Sequence, residues 1–434
     1  MDRRKWIVLS CSTLLWVMTF AQAASDRPKA PAEICANNNC VKAAAAAGKS
    51  SGTIKWNPGH YMASEGILTG YGKLSDFTPE MDDLNNYDNI LGYRLFVSWG
   101  ALESAEGMYN FSVLDAMLKR LQTQYHKPKR LVIALVPGTF VGNGIGNNNG
   151  ASIPVYLQQN PVYGASPVPG SYGWWGQSSG GASTGSYSAA IWRPAVMDRL
   201  IALVKALGEH YDAQTNFEAL MFQEDSWVVS EATTFSPAAP DYSDSGLITQ
   251  MQRLLTASTA AFPHTSIVME NTWVNPASGA QSFEQWMVKN RVVPGSADTL
   301  GGTAFKKGYA TAANGLAWGL QAYMGIQASG SNWSPVDMRS QTHAMMDIEG
   351  ADIAGTYYAS WGAPYGFEPL DVISALNNNY KASHAFWTHY FGSEPIWPGS
   401  GSVSSAAPWS QWSKLAPVIN SNPLTTVSYP ANYP

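Results

Sequence analysis

RLVIALVP, residues Arg130–Pro137, is the stretch whose reading decides the fold. Every residue between the terminal Arg and Pro is apolar, and the run is rich in β-branched and large aliphatic side chains. A strand with one wet face alternates apolar and polar residues. An unbroken apolar run of strand length is what a strand buried on both faces requires, as in a parallel sheet covered by helices. Outward from it, apolar spacing predicts a helix over Val113–Tyr125 on the amino side and another over Pro194–Tyr211 on the carboxyl side. The same alternation gives further strands at Thr53–Met62, Gly92–Trp99, Phe217–Glu224, Ser266–Asn271, Asp298–Thr303, His343–Glu349 and Ser383–His389. Helices are expected near Leu247–Ala261 and Leu370–Tyr380. Eight strands alternating with helices read as an α/β fold, a (β/α)8 TIM barrel, with long loop insertions at the carboxyl-end face. The longest insertion is the Gly-, Asn- and Ser-rich stretch from Gly138 to Ala190. A short helix around Trp409–Ile419 lies within an irregular C-terminal extension.

Composition narrows the class. The chain has 434 residues, of which 13% are charged, with a formal net charge of -5. That charged share is about half of ordinary usage, so surface polarity rests on Asn, Ser, Thr, Gln and Gly, as suits a protein handling neutral ligands. No basic block offers an electrostatic footprint for nucleic acid, and no nucleic-acid partner is expected. Residues 1–24 have the form of a signal peptide: a basic start at Arg3, Arg4 and Lys5, an apolar run from Trp6 to Phe20, and Ala21-Gln22-Ala23 before the cut. The expected destination is secreted or periplasmic, with no integral membrane segment after cleavage. Residues 25–52 read as a flexible leader, and 53–434 as the barrel with its C-terminal extension. Cys11 leaves with the signal peptide, and the remaining Cys35 and Cys40 are expected to pair in a disulfide. The His residues show no metal-ligand spacing, so neither metal nor other cofactor is expected. Gly181–Gly185 fits G-x-S-x-G but lies in a polar loop without the strand and helix of a nucleophile elbow.

The chemistry is read from the strand ends, because barrel enzymes carry their reacting groups there. EALMFQED ends in Glu224 of the fourth strand with Gln223 before it, and HAMMDIEG ends in Glu349 of the seventh. Two carboxyl groups on opposed strands are the equipment for glycosidic bond cleavage. Glu270 on the fifth strand is a rival carboxylate. Asn271 and Trp273 follow it as substrate contacts. Trp56, His60, Trp99, Trp227, Trp361 and Trp387 lie at or just past strand ends, and Trp174 and Trp175 in the long loop suit an outer sugar-stacking site.

YRLFVSWGALESAEGMYNFSVLDAML, Tyr93–Leu118, resembles the strand-two region of clan A retaining glycoside hydrolases, the barrels of many cellulases, xylanases and β-galactosidases. The resemblance is carried by Arg94, Trp99, Glu103, Gly107, Tyr109, Phe111, Leu114 and Asp115. It implies Glu224 as acid/base, Glu349 as nucleophile and Arg94 beside the latter. It also implies hydrolysis of β-linked poly- or oligosaccharide through a covalent intermediate. Two departures leave alternatives open. The clan usually has Asn where this chain has Gln223, and Asp347 or Asp352 can replace Glu349 as nucleophile. A non-catalytic glycan-binding barrel protein of the cell surface is the competing reading. Glu103 and Asp115 are expected to brace loop and helix. The sugar, the linkage, endo or exo action and the oligomeric state are not fixed by the sequence.

Overall fold

The computed structural model describes residues 33–36, 39–42, 53–138, 153–164, 172–177, 186–222, 241–270, 283, 286, 287, 289–295, 370, 373, 377, 383–389, 412–425 and 429. Within the stretch read as a leader, β1 (Glu33–Ala36) and β2 (Asn39–Lys42) run antiparallel. The first barrel strand is β3 (Gly59–Leu68), followed by helix α1 (Thr78–Asp83). Next come β4 (Ile90–Ser98), α2 (Trp99–Leu102), and the short pair β5 (Glu103–Ala105) and β6 (Met108–Asn110). Strand β1 lies parallel to β6, so these four short strands form one sheet in the order β2-β1-β6-β5. Then follow α3 (Ser112–Thr123), β7 (Arg130–Val136), α4 (Val155–Gln159) and the antiparallel pair β8 (Trp174–Gln177) and β9 (Ser186–Ala189). The chain continues through α5 (Pro194–Tyr211), β10 (Phe217–Phe222), α6 (Asp244–Ala261), β11 (Ser266–Glu270), β12 (Val292–Gly295), β13 (His384–Thr388) and α7 (Trp412–Ser421).

Seven strands form one parallel sheet in the order β12-β11-β10-β7-β4-β3-β13. From β3 to β12 spatial order follows chain order, and the last strand returns to lie beside the first. That is the order of a (β/α)8 barrel, with the expected seventh strand, His343–Glu349, outside the described residues. The sheet is strongly curled. β10 and β13 are four spacings apart along it, which a flat sheet would make about 19 Å. Yet His384 Nε2 at the start of β13 lies 3.6 Å from Glu218 Oε1 at the start of β10.

Curling separates two cores. On the concave face, Tyr61, Ala63, Val132, Ala134, Ala219, Met221, Val268, Val293 and Phe386 form one buried cluster. Their neighbours of opposite parity, such as Met62, Leu131, Ile133, Leu220 and Trp387, face outward into the core beneath the helices. Both faces are thus dry, which is why RLVIALVP has no polar alternation. The helices cover the convex side with residues spaced three and four apart. Leu114, Met117, Leu118 and Leu121 do so on α3, and Val196, Leu200, Leu203, Val204 and Leu207 on α5. Pro194 opens α5 at a position where no N–H is needed, and Ser243 Oγ caps α6 by accepting from Gly246 N at 3.1 Å.

Some boundaries differ from the sequence reading. The first strand starts at Gly59, not Thr53, because Ile54–Asn57 run across the barrel floor. There Lys55 N donates to His264 O at 2.9 Å, and Asn57 N and Nδ2 donate to Glu218. The sixth strand is Val292–Gly295, while Asp298–Thr303 lie outside the described residues. Parts of the Gly138–Ala190 stretch carry structure of their own: α4, and the β8–β9 pair whose Ala189 N donates to Pro137 O at 2.8 Å.

Candidate active site

The carboxyl ends of the strands define one mouth of the curled sheet, and Arg94 is the charged side chain that β4 sends toward its interior. Along β4, Tyr93, Leu95 and Val97 join the outer core, so Arg94 and Phe96 take the concave side by alternation. Arg94 is fully buried, with its guanidinium carbon 3.9 Å from the centre of the Phe96 ring and 5.9 Å from that of Phe386. Stacking on two rings holds a cation inside the sheet where solvent cannot. Phe96 and Phe386 are the partners that sequence reasoning missed. The signal was available, since each has the parity of an inward residue on its strand.

The carboxylate candidates follow directly in the chain. Phe222 ends β10, and Gln223 and Glu224 are the next two residues. Gln223, Glu224, Asn271, Trp273, Glu349, Asp347, Asp352, Trp227 and Trp361 lie outside the described residues. Glu270 is the last residue of β11, opposite Gly295 of β12.

Most of the Tyr93–Leu118 segment forms a brace. Trp99 is fully buried and donates its Nε1–H to Glu103 Oε2 at 2.7 Å. Glu103 Oε1 accepts from Gly107 N at 2.8 Å and from Arg199 of α5 at 2.5 Å. Gly107 has φ of 75°, a left-handed conformation that glycine adopts without penalty, and it turns the chain from β5 into β6. Tyr109 and Phe111 stack at 6.0 Å in the core, and Asp115 accepts from Tyr211 Oη at 2.9 Å and contacts His210 Nε2 at 2.7 Å. The segment therefore fastens the β4–α3 connection to α5.

Among the described residues, His60, Trp387, Trp56 and Trp174 are not brought to the mouth. His60 and Trp387 lie behind the sheet and face each other across β3 and β13. Trp387 Nε1–H donates to His60 Nδ1 at 2.9 Å, and His60 Nε2 contacts Asn422 O at 3.0 Å. The two bonds fix the neutral Nε2–H tautomer, and burial lowers the His60 pKa to about 4, keeping the ring uncharged. Trp56 sits before the amino end of β3, at the floor, against His384 at 5.1 Å and Tyr429 at 6.3 Å. A residue that precedes its strand falls at the end opposite the mouth. Trp174 on β8 is half-buried against the outer core, and the side chain of Trp175 lies outside the described set.

The floor itself is closed by polar groups. Glu218, fully buried, accepts from Asn57 N at 2.9 Å, Asn57 Nδ2 at 2.8 Å and Arg130 at 3.2 Å, with His384 alongside. Burial alone would raise its pKa. The His384, Arg130 and Asn57 interactions outweigh that and hold it below the usual carboxylate value.

No family model matches the chain, and no curated protein matches it. Among solved structures, it is similar to endo-glycoceramidase II from Rhodococcus sp., at 12% identity and a TM-score of 0.42 over 85% of this chain and 78% of that one. It is also similar to GH5_18 from Streptomyces cattleya, solved with GlcNAc, at 8% identity and a TM-score of 0.47 over 84% and 80%. A third is the exo-beta-1,4-mannosidase Op5Man5 from Opitutaceae bacterium strain TAV5, at 15% identity and a TM-score of 0.32 over 51% and 34%.

Proposed function

We propose that the chain is a glycoside hydrolase of the retaining type, a closed (β/α)8 barrel with loop insertions at its mouth that cleaves β-linked poly- or oligosaccharide by double displacement. The observation that carries this reading is a pair of features on the curled sheet: a buried cation midway along β4, level with Val132 of β7 and Ala219 of β10, and the end of β10 nearer the mouth. Arg94 is held inside the sheet by Phe96 and Phe386, and β10 runs out at Phe222 immediately before Gln223 and Glu224. Glu349 is assigned as the nucleophile and Glu224 as the acid/base. An ionised Glu349 attacks the anomeric carbon while Glu224 gives its proton to the leaving oxygen; Glu224 then takes a proton from water as the glycosyl-enzyme is hydrolysed. Each charge state favours the other. The Arg94 cation supports an ionised nucleophile, and that anion keeps Glu224 protonated until the leaving group departs. Gln223, Asn271, Trp273 and Trp175 are proposed as sugar contacts.

The test uses the purified full chain on a panel of aryl β-glycosides and β-linked polysaccharides. Glu224→Gln and Glu349→Gln are each expected to lower turnover at least about 100-fold with the fold intact. Proton NMR of the first-formed product should show the anomeric configuration of the substrate. Wild-type turnover in both variants removes the assignment, and an inverted first product removes the double displacement.

Export belongs to the same proposal. Among the described residues no helix is long and apolar enough to cross a membrane. Cys35 and Cys40 are register partners across β1 and β2. A disulfide between them is part of this proposal. Intact mass of the exported protein before and after reduction should differ by the two hydrogens of that bond; no difference excludes it.

A further inference from the structure

A second set of titratable groups lies on the convex side of the sheet, away from the proposed reaction. Glu80 of α1 is buried, with 5% of its surface exposed. Its Oε1 accepts from Ser64 Oγ at 2.5 Å and from the Tyr93 hydroxyl. Its Oε2 lies 3.8 Å from Nδ1 of His389, just past the end of β13. The other nitrogen of His389, Nε2, is 2.8 Å from Asp83 Oδ2, and the Asp83 side chain is 45% exposed. A buried carboxyl, an imidazole and a surface carboxyl thus form a chain from core to solvent. At its inner end it holds an irregular part of β3. Pairing with β4 steps from Ala63↔Arg94 to Ile67↔Phe96, so β3 carries two extra residues there. Ser64 Oγ accepts from Gly66 N at 3.0 Å inside that bulge, and the same hydroxyl ties it to Glu80.

We propose that Glu80, His389 and Asp83 form a proton-operated latch on the β3 bulge. It is closed while Glu80 holds its proton, and loosened when that proton leaves through His389 and Asp83 to solvent.

In the closed form Glu80 holds its proton on Oε2, 3.8 Å from His389 Nδ1 and short of a hydrogen bond, while His389 Nε2–H donates to Asp83; opening begins as Oε2 and Nδ1 close to hydrogen-bond distance. On opening, the Oε2 proton passes to Nδ1, the Nε2 proton passes to Asp83 Oδ2, and Asp83 releases one proton to water. The imidazole remains neutral as its Nδ1–H tautomer, and the net change is one proton lost from Glu80. The carboxylate left behind is buried, and its desolvation opposes the closed packing. Burial raises the Glu80 pKa to about 7, against the lowering effect of the Ser64 and Tyr93 hydrogen bonds, with Asp83 adding to the rise. Burial also lowers that of His389, so both inner groups favour their neutral forms. The other titratable groups around the latch are Tyr93 on β4, Tyr87 beside Asp83, and Asp82 on α1, which is paired outward with Arg120. Arg94, next to Tyr93, lies on the opposite face of β4.

The test is hydrogen exchange of the full chain, followed by mass spectrometry over the β3 bulge near pH 5 and pH 8, after correction for intrinsic exchange. A shift of the size given for Glu80, from 4.5 to about 7, allows the opening equilibrium to rise by up to about 70-fold across that interval. An increase of tenfold or more is expected in the wild type, and none in Glu80→Gln, which keeps the neutral form at every pH. Equal corrected exchange at both pH values, or a wild-type response retained in Glu80→Gln, overturns the latch. Should Glu80→Gln fail to fold, carboxyl carbon NMR of the wild type decides. A glutamate titrating near neutrality whose signal persists in Glu224→Gln supports the latch, and every glutamate titrating below about pH 5.5 in that variant overturns it.

Discussion

Glu80 and Glu218 are both buried, yet their environments push them in opposite directions. Glu80 meets hydroxyls and a neutral imidazole, and burial prevails. Glu218 meets Arg130, His384 and both nitrogens of Asn57, and the partners prevail. The raised pKa of Glu80 means the folded state holds a proton that the unfolded chain has lost, so stability falls as pH rises from about 4.5 toward about 7. The lowered pKa of Glu218 means its contribution is present above the unfolded value and is lost as pH falls through the folded one. Stability should therefore decline on both sides of a mildly acidic maximum. Urea denaturation across pH 3–8 checks this: Glu218→Gln should flatten the acid limb, and Glu80→Gln the neutral one. Tyr93→Phe removes a donor that favours ionised Glu80, so it should move the Glu80 titration further up, read by carboxyl NMR.

At the scale of elements, α5 and α6 approach closely at Gly208. A side-chain carbon added at Gly208 of α5 would meet Ala261 O at 2.5 Å and Ala261 Cβ at 2.8 Å. Gly208→Ala should force the helices apart and cost about 1–3 kcal/mol, measurable as a lower urea midpoint with an unchanged slope. The same elements show what a sequence discloses. α5 falls on Pro194–Tyr211 as its apolar spacing and N-terminal proline indicate. β7 ends within a residue of expectation because an unbroken apolar run has no register to misread. β3 was displaced because Ser64 and Gly66 break its alternation. Those residues answer to Glu80 and the bulge, partners distant in sequence.

For the whole molecule, the order of the barrel strands could be read from their alternation with helices, whereas the lining of the mouth was only partly readable. Arg94 was legible through the resemblance of Tyr93–Leu118 to the strand-two region of clan A glycoside hydrolases. Trp99, Trp387 and His60 were ambiguous because an aromatic residue near a strand end suits either face, and only their bonds to Glu103 and to each other decide it. The adjacency of Phe386 and Trp387 was the usable clue, since two successive strand residues cannot both point inward. The return of β13 to the flank of β3 also has a temporal side. Trp387 and its partner His60 are 327 positions apart. Throughout synthesis, β3 must wait with one edge unpaired until His384–Thr388 have emerged. An open parallel edge of that kind invites pairing with other molecules. A chain ending before His384 should accordingly accumulate as aggregate rather than soluble monomer, as size-exclusion chromatography would show. Premature termination near the carboxyl end would then harm this protein as a sticky intermediate, quite apart from any lost activity.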